Sequence, residues 1–309
     1  MKFAATAAVI LATAGSTIAR PTVAKRALTD ADILNYALTL EHLEDKFYRE
    51  GLANFTQQQF ADAGYDATFY KNLKEVSYDE TTHVSFLTKA LTAAGAKPVA
   101  ECTYAFGVTS VATFVATASI LEGVGVTAYL GAAASIMNKD YLTAAGSILT
   151  VESRHSSYLR ASLKESPFAQ PFDVPLDFDE VYTLASPFIV SCPSTNVALP
   201  LKAFPALALA ASSAPVTTGK TIQFTTKGSI QPDKGNNFVY AAWIAVTGPT
   251  FTKAYIKSGG IIETTVPAGF HGQSYVVITG CNSSVSDDTV KAGPAIVEIT
   301  GSSGSPFAK

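Results

Sequence analysis

Between Glu101 and Lys139 the chain carries a single charged residue, Glu122. The segment from about Thr109 to Met137 reads as a helix that is apolar nearly all round, and such a helix belongs inside a core or a bilayer. It is long enough to cross a membrane. Its threonines, serines, glycines and central glutamate make it a poor span, so no membrane span is expected. In a protein core, an ionised carboxylate without a partner costs several kcal/mol. Either a bound cation removes that cost, or the glutamate stays protonated and hydrogen-bonded to a neighbour. Other segments must therefore surround this helix and bring one of the two to Glu122.

Three further segments have helical periodicity. The first runs from about Asp30 to Leu52. Thr29 is its cap, Asp32 stands three residues on as in a capping box, and Gly51 suits a terminal turn. The second runs from an Asp66 cap to about Ala94, before Gly95. The last begins at an Asp140 cap and ends before Pro167. Each spans roughly 23 to 29 residues, or about 35 to 43 Å. Four helices of similar length make a bundle. The short link between the third and fourth makes those two antiparallel. The link between the second and third, about 15 residues extending to about 50 Å, can run the length of the bundle. A further short helix, about Asp179 to Val190, is expected at the bundle end.

Near residue 200 the pattern changes to short β-branched runs broken by Gly, Pro and Ser. Residues 221–226, 238–246 and 274–279 alternate with period two, and 294–300 reads as a last strand. Residues 208–309 are expected to form a small all-β, sandwich-like domain. His271 reads as a loop histidine there.

The chemistry lies in the helices. The chain has four histidines. Two of them close a Glu-x-x-His unit, Glu80–His83 on the second helix and Glu152–His155 on the fourth. A spacing of three places both side chains on one helical face, close enough to share a metal. Glu122 supplies a carboxylate from the third helix. The first helix offers Glu41 and Glu44, and an internal repeat favours Glu41: it precedes Tyr48 by seven residues, as Glu122 precedes Tyr129. Glu44 then stands one turn away, as an extra ligand or an acid on the entry path. Tyr48 and Tyr129 are the candidate catalytic phenols, with core packing as their alternative role.

One Glu on each of two helices plus Glu-x-x-His on each of the other two resembles the di-iron or di-manganese ferritin-like pattern. The resemblance implies a ferritin-like four-helix bundle with a long crossover, over residues 27–203, and two Fe or Mn ions. It assigns Glu41 and His83 mainly to one ion and Glu122 and His155 mainly to the other, with Glu80 and Glu152 bridging. Asp79 beside Glu80 resembles the Asp-Glu-x-x-His form of di-iron oxidases, in which the Asp orients a histidine ligand. The second copy has Val151 in that place. Residues 38–48, 121–129 and Ser191-Cys192-Pro193 are similar to secreted fungal ferritin-like proteins described as stress-responsive, and more distantly to plant desiccation-related proteins.

Mixed carboxylate and imidazole ligands suit Fe or Mn. The expected function is a dimetal oxidoreductase that consumes peroxide, or uses dioxygen or peroxide to oxidise Fe(II). The competing reading is a non-enzymatic extracellular protein with a structural metal and a β domain that binds a cell-wall component. A net charge of −3 gives no basic footprint for nucleic acid. An appended β domain argues against a storage cage, whose subunits need free faces. Residues 1–19 read as a signal peptide and 20–26, ending in Lys25-Arg26, as a short propeptide. Asn54 and Asn282 begin glycosylation tripeptides. Of the three cysteines, Cys102 and Cys192 are the favoured disulfide pair in an oxidising compartment, leaving Cys281.

Overall fold

The computed structural model describes residues 28–232 and 236–301. The expected signal peptide and propeptide lie outside the described residues.

Among the described residues there are six α-helices: α1 (Asp30–Asn54), α2 (Gln57–Asp62), α3 (Ala67–Ala93), α4 (Val111–Ala132), α5 (Lys139–Ser162) and α6 (Phe178–Ala185). Thr29 caps α1 reciprocally. Its N–H donates to Asp32 Oδ2 at 2.8 Å, and the Asp32 N–H donates to Thr29 Oγ1 at 3.2 Å. Gly51 does not end α1. The helix runs on to Asn54, and the glycine is needed because the Phe114 ring lies where a Cβ would be, 2.0 Å away at its nearest atom. The cap of α5 is Asn138 rather than Asp140. Asp140 sits in the first turn, where its charge favours the helix dipole. Helix α2 has no counterpart in the sequence reading. It is only six residues long, held by a Thr56–Gln59 capping box and by the buried Phe60.

The crossover from α3 to α4 contains β1 (Thr103–Tyr104), paired antiparallel with β2 (Ile189–Ser191). A Cys102–Cys192 disulfide fastens the same two segments. Asn35 of α1 holds the crossover with both ends of its amide, donating to Lys97 O at 3.1 Å and accepting from Val99 N–H at 2.9 Å. The chain thus reaches the far end of the bundle before α4 begins.

The remaining strands are β3 (Leu207–Leu209), β4 (Thr221–Thr226), β5 (Phe238–Trp243), β6 (Thr250–Ile256), β7 (Ile261–Thr265), β8 (Gly272–Thr279) and β9 (Val290–Ile299). They form one antiparallel sheet in the order β3-β4-β7-β6-β5-β8-β9. The sheet curls until its ends meet, with Gly293 N–H donating to Pro205 O at 2.9 Å. The result is barrel-like, one sheet closed on itself rather than two facing sheets. Ile222, Phe224, Trp243, Val276, Ile278 and Val297 fill its interior.

Successive side chains of a strand point to opposite faces. On β8, Val276 and Ile278 therefore face the barrel interior, while Tyr275 and Val277 join the core of the bundle. The Tyr275 hydroxyl donates to Gly123 O at 2.9 Å, and Gln273 Nε2 donates to Ile120 O at 3.2 Å, both on α4. Arg160 of α5 forks onto Glu298 of β9 through two 2.8 Å hydrogen bonds. Residues 111–135 are apolar and long enough to span a bilayer, yet 67% of the most apolar window is buried within the protein.

Candidate metal centre

Glu41 on α1, Glu80 and His83 on α3, Glu122 on α4, and Glu152 and His155 on α5 converge in the bundle interior. All four glutamates have no exposed surface, and the two histidines are buried as well. His83 Nδ1 lies 3.2 Å from Glu41 Oε2, 3.2 Å from Glu80 Oε2 and 3.4 Å from Glu152 Oε1. His155 Nδ1 lies 3.1 Å from Glu80 Oε1 and 3.3 Å from Glu122 Oε2. Two groups of four result, Glu41-Glu80-His83-Glu152 and Glu80-Glu122-Glu152-His155, each with its ligand atoms within 4.8 Å of one another. Glu80 and Glu152 belong to both.

The two tyrosines attach crosswise. Tyr48 of α1 donates to Glu122 of α4, and Tyr129 of α4 donates to Glu41 of α1. This follows from an antiparallel pair. Two turns beyond the glutamate on one helix is level with the glutamate of the other. Asp79 also acts across the bundle. Its Oδ2 lies 3.2 Å from His155 Nε2, so it orients the histidine of the other Glu-x-x-His unit. Glu44 is buried but belongs to neither group of four. His42 turns away, with Nε2 3.1 Å from Val99 O in the crossover. His271 lies in the β-sheet domain, outside the cluster.

So many buried carboxylates cannot all ionise without counter-charge. Burial, and then repulsion from neighbouring glutamates, raises the pKa values of Glu152 and Glu44 well above the usual carboxylate value. Burial pushes Glu80 up to about 7, against hydrogen bonds from His155 and His83 that lower it. Burial alone would lower His155, but hydrogen bonds to Glu122 and Glu80 carry it up to about 11. His83 is raised in the same way by Glu152, Glu41 and Glu80. Burial also raises both phenols, which therefore keep their protons.

A metal fits this donor set. Apart from the 3.1–3.4 Å histidine–carboxylate contacts within the cluster, Glu80 Oε1, Glu122 Oε2, both oxygens of Glu152 and His155 Nδ1 are buried without a well-aligned hydrogen bond. Native proteins rarely leave such groups unsatisfied. Glu80 Oε1, Glu122 Oε2, Glu152 Oε1 and His155 Nδ1 all take part in the close contacts within the cluster, where a cation would satisfy them. Two divalent ions would also balance the four carboxylates that the two groups contain, Glu41, Glu80, Glu122 and Glu152.

Gly125 is a site residue that the motifs do not expose. A Cβ there would stand 2.7 Å from Glu152 Oε2 and 3.0 Å from Glu44 Oε1. The available signal was Gly-Val-Gly directly after Glu122, since glycine inside a helix is unfavourable and calls for a packing reason.

Residues 29–165 match the family described as the ferritin-like domain, and the helical part of the chain has that ferritin-like fold. Protein rds1 of Schizosaccharomyces pombe is 28% identical over 225 residues, covering 72% of this chain. The chain matches 52% of that protein, about half its length.

Proposed function

We propose that the helical domain holds two Fe or Mn ions and uses them to consume peroxide or to oxidise Fe(II), in a protein exported to an oxidising compartment. The sharing of Glu80 and Glu152 between two Glu/His groups supports this reading above all. Glu41 and His83 would hold one ion and Glu122 and His155 the other, with Glu80 and Glu152 available to both. When bound, such a pair exchanges two electrons with dioxygen or peroxide. The protein's own residues set the conditions. Tyr129 and Tyr48 each hold a proton on a ligand carboxylate, and Asp79 fixes the ring of His155. The full burial of the four carboxylates excludes bulk water. The Cys102–Cys192 disulfide supports export, because such bonds persist in oxidising compartments. Asn54 and Asn282 are exposed, as glycosylation requires.

Metal analysis of the mature chain tests the proposal. About two Fe or Mn ions per chain are expected, falling below one in Glu80→Ala and Glu122→Ala, together with loss of peroxide consumption and Fe(II) oxidation. A folded chain that takes up neither metal overturns it. Two retained ions with no turnover would make the metal a structural staple and leave the β-sheet domain as the binding part.

A further inference from the structure

A cavity of roughly 200 Å³ lies between α1, α4, α6 and β9. Its walls are apolar, with Leu40, Val124, Leu184, Phe188 and Ile296 among them, and the one polar side chain in its lining is Glu44. Gly125 lines it too. Over that glycine lie both the Glu44 and the Glu152 carboxylates, so Glu44 stands between the cavity and the Glu/His cluster. At the outer end, Ile120 is 39% exposed and Pro187 is exposed, which gives an entrance from solvent.

Purely structural packing does not account for this arrangement. Protein interiors hold few voids larger than a water. An apolar cavity of about 150 Å³ stays dry and takes up benzene or xenon. This one is larger and has one polar group at its inner wall. Small-molecule sites have this composition, apolar walls with a few polar groups that fix orientation. Dioxygen or peroxide needs far less room.

We propose that this cavity binds a small, mainly apolar organic molecule of about benzene size that carries one hydroxyl, with the hydroxyl on Glu44 and beside the Glu80–Glu152 cluster. Such a ligand would be the organic partner of the metal site, and in that role the inference rests on the function proposed above. Binding itself does not require the metal.

Phenol is the probe, with benzene for comparison, titrated by calorimetry into the full mature chain with and without Mn(II). Saturable phenol binding is expected in both forms. Glu44→Leu should weaken phenol roughly threefold to tenfold and leave benzene unchanged, the value of one hydrogen bond. Leu184→Trp fills the cavity from α6, outside the four long helices, and should abolish binding of both probes. Ile296→Phe fills it from β9 and serves if the first variant does not fold. Absence of phenol binding in the folded chain overturns the proposal, as does binding that survives both filling variants. Failure of the chain to load Mn(II) while phenol still binds counts against the metal reading alone.

Discussion

Glu80→Gln isolates the electrostatic cost of the cluster. In the metal-free protein, burial raises Glu80 from 4.5 to about 7. Ionising it inside the fold therefore costs about 3 kcal/mol more than in the unfolded chain. The stability conferred by its proton is complete below about pH 4.5 and is lost as pH rises through 7. Glutamine keeps the shape and a hydrogen-bonding group but never ionises. In the presence of a chelator, the variant should gain on the wild type by about 3 kcal/mol between about pH 4.5 and pH 8, a relative rise in Tm of roughly 6–12 °C. With metal present the order should reverse, because the variant lacks a carboxylate common to both Glu/His groups. Urea denaturation across this pH range, with and without Mn(II), measures both. A pH-independent difference between the two proteins, or equal stabilisation of both by metal, would refute the reasoning.

Other perturbations have equally definite outcomes. Gly125→Ala places a methyl against Glu152 and Glu44 and should lower the ion content per chain. Gly146→Ala, where a Cβ meets open space, should leave it unchanged. Cys102→Ser opens a loop closed by a 90-residue separation, worth about 4–5 kcal/mol in the chain-entropy account, and should show as a lower denaturation midpoint under non-reducing conditions. Arg160→Ala removes the fork onto Glu298, worth about 1.5–3 kcal/mol for charged hydrogen bonds, and should speed limited proteolysis between α6 and β3.

The helical half was legible because its constraints are local or unavoidable. A lone carboxylate in an apolar helix needs a partner, and Glu-x-x-His has only one face on which to act. Both statements hold whatever the tertiary structure. The crosswise attachment of Tyr48 and Tyr129 was not legible, since sequence spacing places each tyrosine near its own helix's glutamate. Only the antiparallel setting of α1 and α4 exchanges them. The same holds for Asp79, which serves His155 rather than its neighbour His83. Gly51 carries a turn signal that the Phe114 ring overrides. In the β half, period-two alternation revealed strands but not their closure, because the side chains facing a barrel interior alternate like those of a sandwich. The fork between Arg160 and Glu298 joins residues 138 apart in sequence and leaves no pattern in either segment.

The sheet residues that enter the bundle core bear on how the protein can be divided. Ala242, Ile244, Tyr275 and Val277 cover one flank of the four-helix assembly, and two α4 carbonyls receive their outer hydrogen bonds from β8. Cutting the chain in the linker near residue 203 would not release a self-sufficient bundle. It would lay bare the most water-averse helix of the molecule along the side that β8 now covers. The barrel thus completes the core of the bundle, and the two halves depend on each other to keep that flank dry.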